Sequence, residues 1–354
     1  MSTQEEIQQN NQKIDRLESD LRQLHDQVRL ASLRDAIEDL DTCISGFPQQ
    51  IKDLRARQYA FEVNLESQAK GFAPRWSSIK TGVRTEVTRQ SQSLENSLRP
   101  IESKITRLNS LRNSPNSARS LITQVDSELE NLKDKASSAE RAIQGMYDDL
   151  KNEVEVLKKH LEEIEEMLGH LESACFSLMP NEAGIQAVKA TFIEGKEDKN
   201  DPQGILFLTD QRLLFEQKQE VAKKKVLFIA TEKEMVQELI MDMPLGMVEE
   251  ITTSKRGLFK NEDHIEFTFS NNAPFREAHL HLFGQDCSDW KTAIQRAKKG
   301  EYDQNRAIAI DTEAAEEVRN APTQCPGCGA SIQQKVLRGM DSITCQYCGT
   351  VIRI

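Results

Sequence analysis

The run Gly204-Ile205-Leu206-Phe207-Leu208-Thr209-Asp210-Gln211-Arg212-Leu213-Leu214-Phe215 decides how the middle of this chain folds. Two apolar runs bracket the two-residue loop Asp210-Gln211, the pattern of a β-hairpin. Working outward, residues 187–193 alternate as a strand does, and Asn200-Asp201-Pro202-Gln203-Gly204 reads as the turn that follows. Further strand candidates lie at 226–229, 239–243, 247–253, 265–269 and 278–283. Asp286-Cys287-Ser288-Asp289 can then cap a helix that carries Trp290, Ile294 and Ala297 along one face. Seven or eight short strands and one amphipathic helix predict a small, partly open barrel plugged by a helix over 183–299.

Upstream, the period changes from 2 to 3.6 at about residue 183. Val154, Leu157, Leu161, Ile164, Leu168, Leu171, Cys175 and Leu178 alternate in steps of 3 and 4, the a/d seam of a coiled coil. The same seam runs from Ile122 to Leu150, and the step to Val154 is a stutter. Similar stripes cover 14–31, 37–65 and 87–111. Breaks are expected at 46–48, at 71–74 and at Asn113-Ser114-Pro115-Asn116-Ser117, with Ser117 as an N-cap and Pro100 as a kink or end. Residues 1–180 therefore predict a long helical region, either folded back as a bundle or paired with a second chain. Cys175, on the seam, is expected to be a small core residue. Between Arg75 and Arg112 bases outnumber acids, and the expectation is a solvated face paired with acidic helices at 33–41 or 161–172.

At the other end stand Cys325-Pro326-Gly327-Cys328-Gly329 and Cys345-Gln346-Tyr347-Cys348-Gly349, with sixteen residues between Cys328 and Cys345. Each C-x-x-C turn brings two thiolates to one side, and two such turns complete a closed four-cysteine shell of the structural type, with no open position for catalysis. Cys325, Cys328, Cys345 and Cys348 are thus the expected ligands of one structural Zn2+. About thirty residues cannot bury a stable core alone, and metal binding can fold them. Residues 322–354 are similar to a zinc ribbon, with strands expected at 332–337, 342–344 and 350–354. Residues 300–321 read as an acidic linker.

Once these residues are set out, the 204–215 hairpin resembles that of GRAM and other pleckstrin-homology-like domains. Met243-Pro244-Leu245, Ser254-Lys255-Arg256-Gly257-Leu258-Phe259 and Trp290 fit the same pattern. The resemblance implies binding of phosphoinositides, other lipid headgroups or proteins. On that reading Lys223, Lys224, Lys225, Lys255, Arg256 and Lys260 are the candidate anion or lipid contacts, because phosphate recognition needs clustered Lys and Arg donors.

Only 38% of residues are hydrophobic and 29% are charged, which suits long helices joined to small modules better than one large globule. The net charge of −11 excludes a global basic field. The ribbon, with Lys335, Arg338 and Arg353 against Asp341 and a tetrathiolate zinc, is near neutral, so a protein contact is expected there rather than nucleic acid. The polar start and the lack of a long apolar run predict a cytoplasmic protein with reduced thiols. No P-loop, H-E-x-x-H or G-x-S-x-G is present. The histidines are scattered; His279 and His281 share a strand face and read as an exposed pair rather than a metal site. The expectation is a multidomain α + β protein: helical coiled coil or bundle, pleckstrin-homology-like barrel with a closing helix, and small zinc ribbon. It is expected to act as a non-enzymatic scaffold or adaptor, binding protein partners or itself. The alternative is a peripheral membrane protein that reads anionic headgroups.

Overall fold

The computed structural model describes residues 3–195, 198, 200–226, 229–274, 276–310, 322, 324–332 and 342–353, with side chains described throughout these except at 3 and 221–233. The chain divides into two compact units, one of residues 1–48 and 67–159 and the other of residues 49–66 and 160–354.

Five helices precede the sheet: α1 (Thr3–Arg29), α2 (Ala31–Ala56), α3 (Leu65–Ser110), α4 (Pro115–Gln144) and α5 (Asp148–Glu172), the first unit taking all of them but the end of α2, the start of α3 and the latter half of α5. The apolar stripes meet one another within the chain. Ile14, Leu17, Leu24 and Val28 of α1, Ile37, Leu40 and Ile44 of α2, Val87, Leu94, Leu98 and Ile105 of α3, and Val125, Leu129 and Leu132 of α4 are all buried. Ion pairs fix the directions. Arg112 meets Asp15 and Arg84 meets Glu38, so α3 runs antiparallel to α1 and α2. Lys104 meets Glu128 and Arg75 meets Glu153, so it also runs antiparallel to α4 and α5. The bases of 75–112 therefore pair largely with acids of neighbouring helices, Glu38 and Asp41 among them.

The expected breaks at 46–48 and 71–74 do not occur. α2 runs through Pro48, and α3 runs through Pro74 and Pro100. Phe47 and Phe72 are both buried with ring centroids 6.1 Å apart, and this packing outweighs the backbone hydrogen bonds that proline removes. The reversal lies instead between α2 and α3. The break at 113–114 is present, but Pro115 starts α4 and Ser114, not Ser117, sits at the N-cap. The stutter is reflected in a break at 145–147.

In the second unit, β1 (Gly184–Phe192), β2 (Gln203–Thr209), β3 (Arg212–Val226), β4 (Ile229–Pro244), β5 (Val248–Arg256), β6 (Glu262–Phe269) and β7 (Glu277–Leu282) form one antiparallel sheet in the order β4-β3-β2-β1-β7-β6-β5. α6 (Cys287–Lys298) closes it, capped by the Asp286 carboxylate, which accepts from the Ser288 N–H. Leu206, Leu208, Phe215, Met241, Met243, Phe267, Leu280, Trp290 and Ile294 form the barrel core. This is the small barrel of short strands closed by one helix that the sequence predicts over 183–299. The expected strand 226–229 spans the end of β3 and the start of β4, with Leu227 and Phe228 outside the described residues.

The seam of α5 stops earlier than its period. The helix ends at Glu172, Leu178 is partly exposed, and Cys175 is exposed rather than a core residue. The cause is the buried carboxylate of Glu216 on β3, whose Oε1 accepts the Cys175 N–H at 2.7 Å and draws the chain off the helical path. Leu171 and Met167 still pack against β1, where a Cβ at Gly184 would lie 2.4 Å from Leu171 Cδ1. Part of the expected linker is also packed: Ala307 N–H donates to Ala60 O, and Arg306 pairs with the buried Asp210 at 2.7 Å. Residues 311–321 lie outside the described residues.

Candidate metal centre and barrel surface

The strongest sequence signal is assembled as expected. Each C-x-x-C turn folds as the same knuckle. Gly329 N–H donates to Cys325 O and Gly349 N–H to Cys345 O, while Cys325 N–H donates to Ala330 O and Cys345 N–H to Thr350 O. Gly329 and Gly349 each adopt φ +74°, which glycine tolerates at no steric cost. The strands β8 (Ser342–Thr344) and β9 (Val351–Arg353) pair Ile343 with Ile352, and both pack with Cys325, Cys345 and Ile332. Of the expected strand 332–337, all but Ile332 lies outside the described residues.

Cys325 Sγ lies 3.6 Å from Cys348 Sγ, and Cys328 Sγ 3.6 Å from Cys345 Sγ. A tetrahedral zinc with bonds of about 2.3 Å needs sulfurs about 3.8 Å apart, so the four thiols fit one ion. The Thr350 hydroxyl beside Cys348 pulls that thiol down to about 6, and the Tyr347 N–H lowers Cys345. The Ala330 N–H favours the Cys328 thiolate, yet the neighbouring sulfurs of Cys348 and Cys345 push that thiol up to about 12. Four thiolates at this spacing repel one another, and a divalent cation removes the conflict.

Of the six bases singled out for anion contact, the lysine run belongs to the last part of β3 and Lys255 and Arg256 end β5, two strands that run in opposite directions along the sheet. The side chains of Lys223, Lys224 and Lys225 lie outside those described. Lys255 Nζ lies 3.1 Å from Asp263 and 2.7 Å from Asp286, and these carboxylates hold its pKa well above the usual lysine value. Asp263, Asp286 and Cys287 could together hold a cation, and the Lys255 ammonium takes that position. Arg256 pairs with Glu266 and donates to Ser254 Oγ. Lys260 is exposed in the turn from β5 to β6, beside Leu258 and Phe259, which are 98% and 89% exposed.

Composition had pooled these cations without their partners. Asp263 is the cross-strand neighbour of Lys255, a pairing the sequence carries only once register is known. Register also adds His264 to the expected histidine pair. Its Nδ1 lies 3.0 Å from His279 Nε2 in a hydrogen bond that one ring donates, and its ring stacks on His281 at 4.5 Å. His264 is fully buried, so the trio is not the exposed pair expected. A cleft of about 540 Å³ opens nearby, with Phe192 and Phe267 among its walls and Glu194, Glu266 and Glu277 around it.

No protein-family model and no curated protein matches the sequence. Among solved structures, the chain is similar to the Vps36 N-terminal PH domain, at 16% identity over 36% of this chain and 89% of that one, with a TM-score of 0.25. It is similar to the Slm1-PH domain in complex with inositol-4-phosphate, at 13% identity over 33% and 95%, with a TM-score of 0.22. It is also similar to human RhoA in complex with the DH/PH fragment of PDZRHOGEF, at 13% identity over 85% and 96%, with a TM-score of 0.24. Among the described residues no helix is long and apolar enough to cross a membrane.

Proposed function

We propose that this chain is a non-enzymatic adaptor whose barrel binds a protein partner through side chains of basic character, with a zinc ribbon as a second recognition head. The observation that carries the reading is the electrostatics of the barrel surface. Lys255 and Arg256, the described bases best placed for an anionic headgroup, are each paired with carboxylates. The large cleft carries Glu194 and Glu277 beside Glu266, the partner of Arg256, an acidic lining that suits the charged head of a lysine or arginine. The four-cysteine shell supports a structural ion rather than turnover.

The second reading is peripheral membrane association, and Leu258 and Phe259 favour it. Two large apolar side chains at a turn apex beside Lys260 are suited to the bilayer interface. Flotation of the full chain at physiological salt with phosphatidylcholine vesicles, with and without phosphatidylserine, separates the two. The protein reading expects the chain to stay unbound with both vesicle types. Co-flotation that is lost in the Leu258→Ser, Phe259→Ser double variant would replace it with the membrane reading.

A further inference from the structure

On the outer face of the sheet, away from the acidic cleft, a second cleft of about 350 Å³ opens beside α5. Its polar lining converges from four elements: His170 from α5, Lys189 from β1, Gln203 from β2 and Lys218 from β3. Phe283 supplies an aromatic wall, with its ring 4.5 Å from that of His281. None of the described lining residues carries a carboxylate. In a chain with 57 acidic and 46 basic residues, that is a local reversal of charge.

The sheet register explains why these side chains meet. Thr191 pairs with Gln203, and Lys189 shares its face two residues away. Gly204 pairs with Gln217, and one step further the register sets Gln203 beside Lys218. All three project from the face opposite the barrel core. Gly204 brings the backbone of β2 close to β3, since a Cβ there would fall 1.8 Å from Glu216 O. Ile205, paired with Lys189 on the outer face, lies between these polar groups as an apolar floor.

The donors are held and incompletely used. Lys218 Nζ donates to Ser173 O at 3.2 Å and to Ser173 Oγ at 3.0 Å, which positions the ammonium and leaves its third N–H. His170 Nε2 is sealed from solvent and makes no hydrogen bond, although Glu166 Oε1 approaches to 3.5 Å. Lys189 is exposed at the rim. Two ammonium groups and a side-chain amide from three strands suit a tetrahedral oxyanion, which accepts from several directions, better than a flat carboxylate. The volume leaves room for a small organic group against Phe283.

We propose that this cleft binds a small phosphorylated molecule, with Lys189, Lys218 and Gln203 as donors to its phosphate oxygens and the His170 ring as part of the wall. The site is separate from the acidic cleft and does not depend on the protein-binding reading. The test is calorimetric titration of the full, zinc-loaded chain with inorganic phosphate and with phenyl phosphate in chloride buffer. One saturable site per chain is expected, tighter for phenyl phosphate because of Phe283. Lys189→Met and Lys218→Met keep the aliphatic stems and should each weaken binding about tenfold or more, the loss of one charged hydrogen bond. Lys291→Met on α6 should not change it. Thermal melts of each variant by circular dichroism establish that the barrel is folded.

Phosphatidylcholine vesicles with and without a phosphatidylinositol phosphate distinguish the sources of the ligand. Vesicle binding that free phosphate competes away identifies a lipid headgroup, and binding of phenyl phosphate alone identifies a soluble molecule. Both support the site. Absence of saturable phosphate binding up to about 10 mM overturns it. So does binding that folded Lys189→Met and Lys218→Met chains retain in full.

Discussion

Arg212 shows how much of the hairpin signature is structural. Its Nη2 lies 2.7 Å from Glu182 Oε2 and its Nη1 2.6 Å from Asp242, while Nη2 also donates to Ser177 O at 3.1 Å. Glu182 has no side-chain exposure, so its charge depends on this guanidinium and on the Thr209 hydroxyl, which donates at 2.6 Å. Thr209 Oγ1 in turn accepts the N–H groups of Gln211 and Arg212, and Asp210 accepts from Ala183 and Arg306. The residues that suggest a ligand-binding family by their pattern are thus those that tie the hairpin to segments 177–183 and 306. Removing one partner of a buried pair leaves an uncompensated charge. Arg212→Ala should cost about 3–5 kcal/mol of barrel stability in urea denaturation, and Arg212→Met combined with Glu182→Gln should recover much of it. A single variant as stable as the parent would show that Glu182 takes up a proton or reaches water instead.

The element that sequence punctuation mislocates is the reversal between α2 and α3. The glycines and prolines stand at 46–48 and 71–74, inside helices, whereas the turn uses Gln58 and Glu62 at φ +69° and +59°. What holds these non-glycine residues there is Arg55, whose guanidinium donates to the carbonyls of Tyr59, Phe61 and Glu62 and to the Glu66 carboxylate. A single arginine satisfying three carbonyls leaves no local pattern, so only the tertiary structure reveals it. By contrast, the hairpin at 210–211, the cap at Asp286 and both cysteine knuckles were legible, because each is fixed by residues a few positions apart. The same turn is tied to α5 by His160 Nε2, 2.8 Å from Glu62 Oε2, and the Glu62 carboxylate raises the pKa of His160. A histidine with a raised folded-state pKa stabilises fully below its unfolded value of about 6.5, and the contribution is lost as pH rises through the folded value. Stability measured by denaturant should therefore fall as pH is raised from about 6 toward 8, and Glu62→Gln should flatten that slope. An unchanged slope in Glu62→Gln would assign the dependence to another group.

At the scale of the whole molecule, three kinds of stabilisation act on different stretches of chain. The helices bury stripes against one another, the barrel buries a continuous core around Trp290, and the terminal module has only Ile332, Ile343 and Ile352 around its cysteines among the described residues. Three isoleucines are too small a core to fold the module alone, so the four-cysteine reading predicts that it depends on a bound ion in a way the barrel does not. Its core residues form a set separate from the barrel's, which predicts that metal loss acts locally. One zinc per chain is expected by elemental analysis. Chelation, or Cys328→Ser, should expose 322–354 to rapid proteolysis while leaving the thermal transition of the barrel in place. If Cys328→Ser retains a full complement of zinc, or if chelation melts the barrel with the ribbon, then the metal is held elsewhere or the two cores fold as one, and the adaptor built from separable heads must be abandoned.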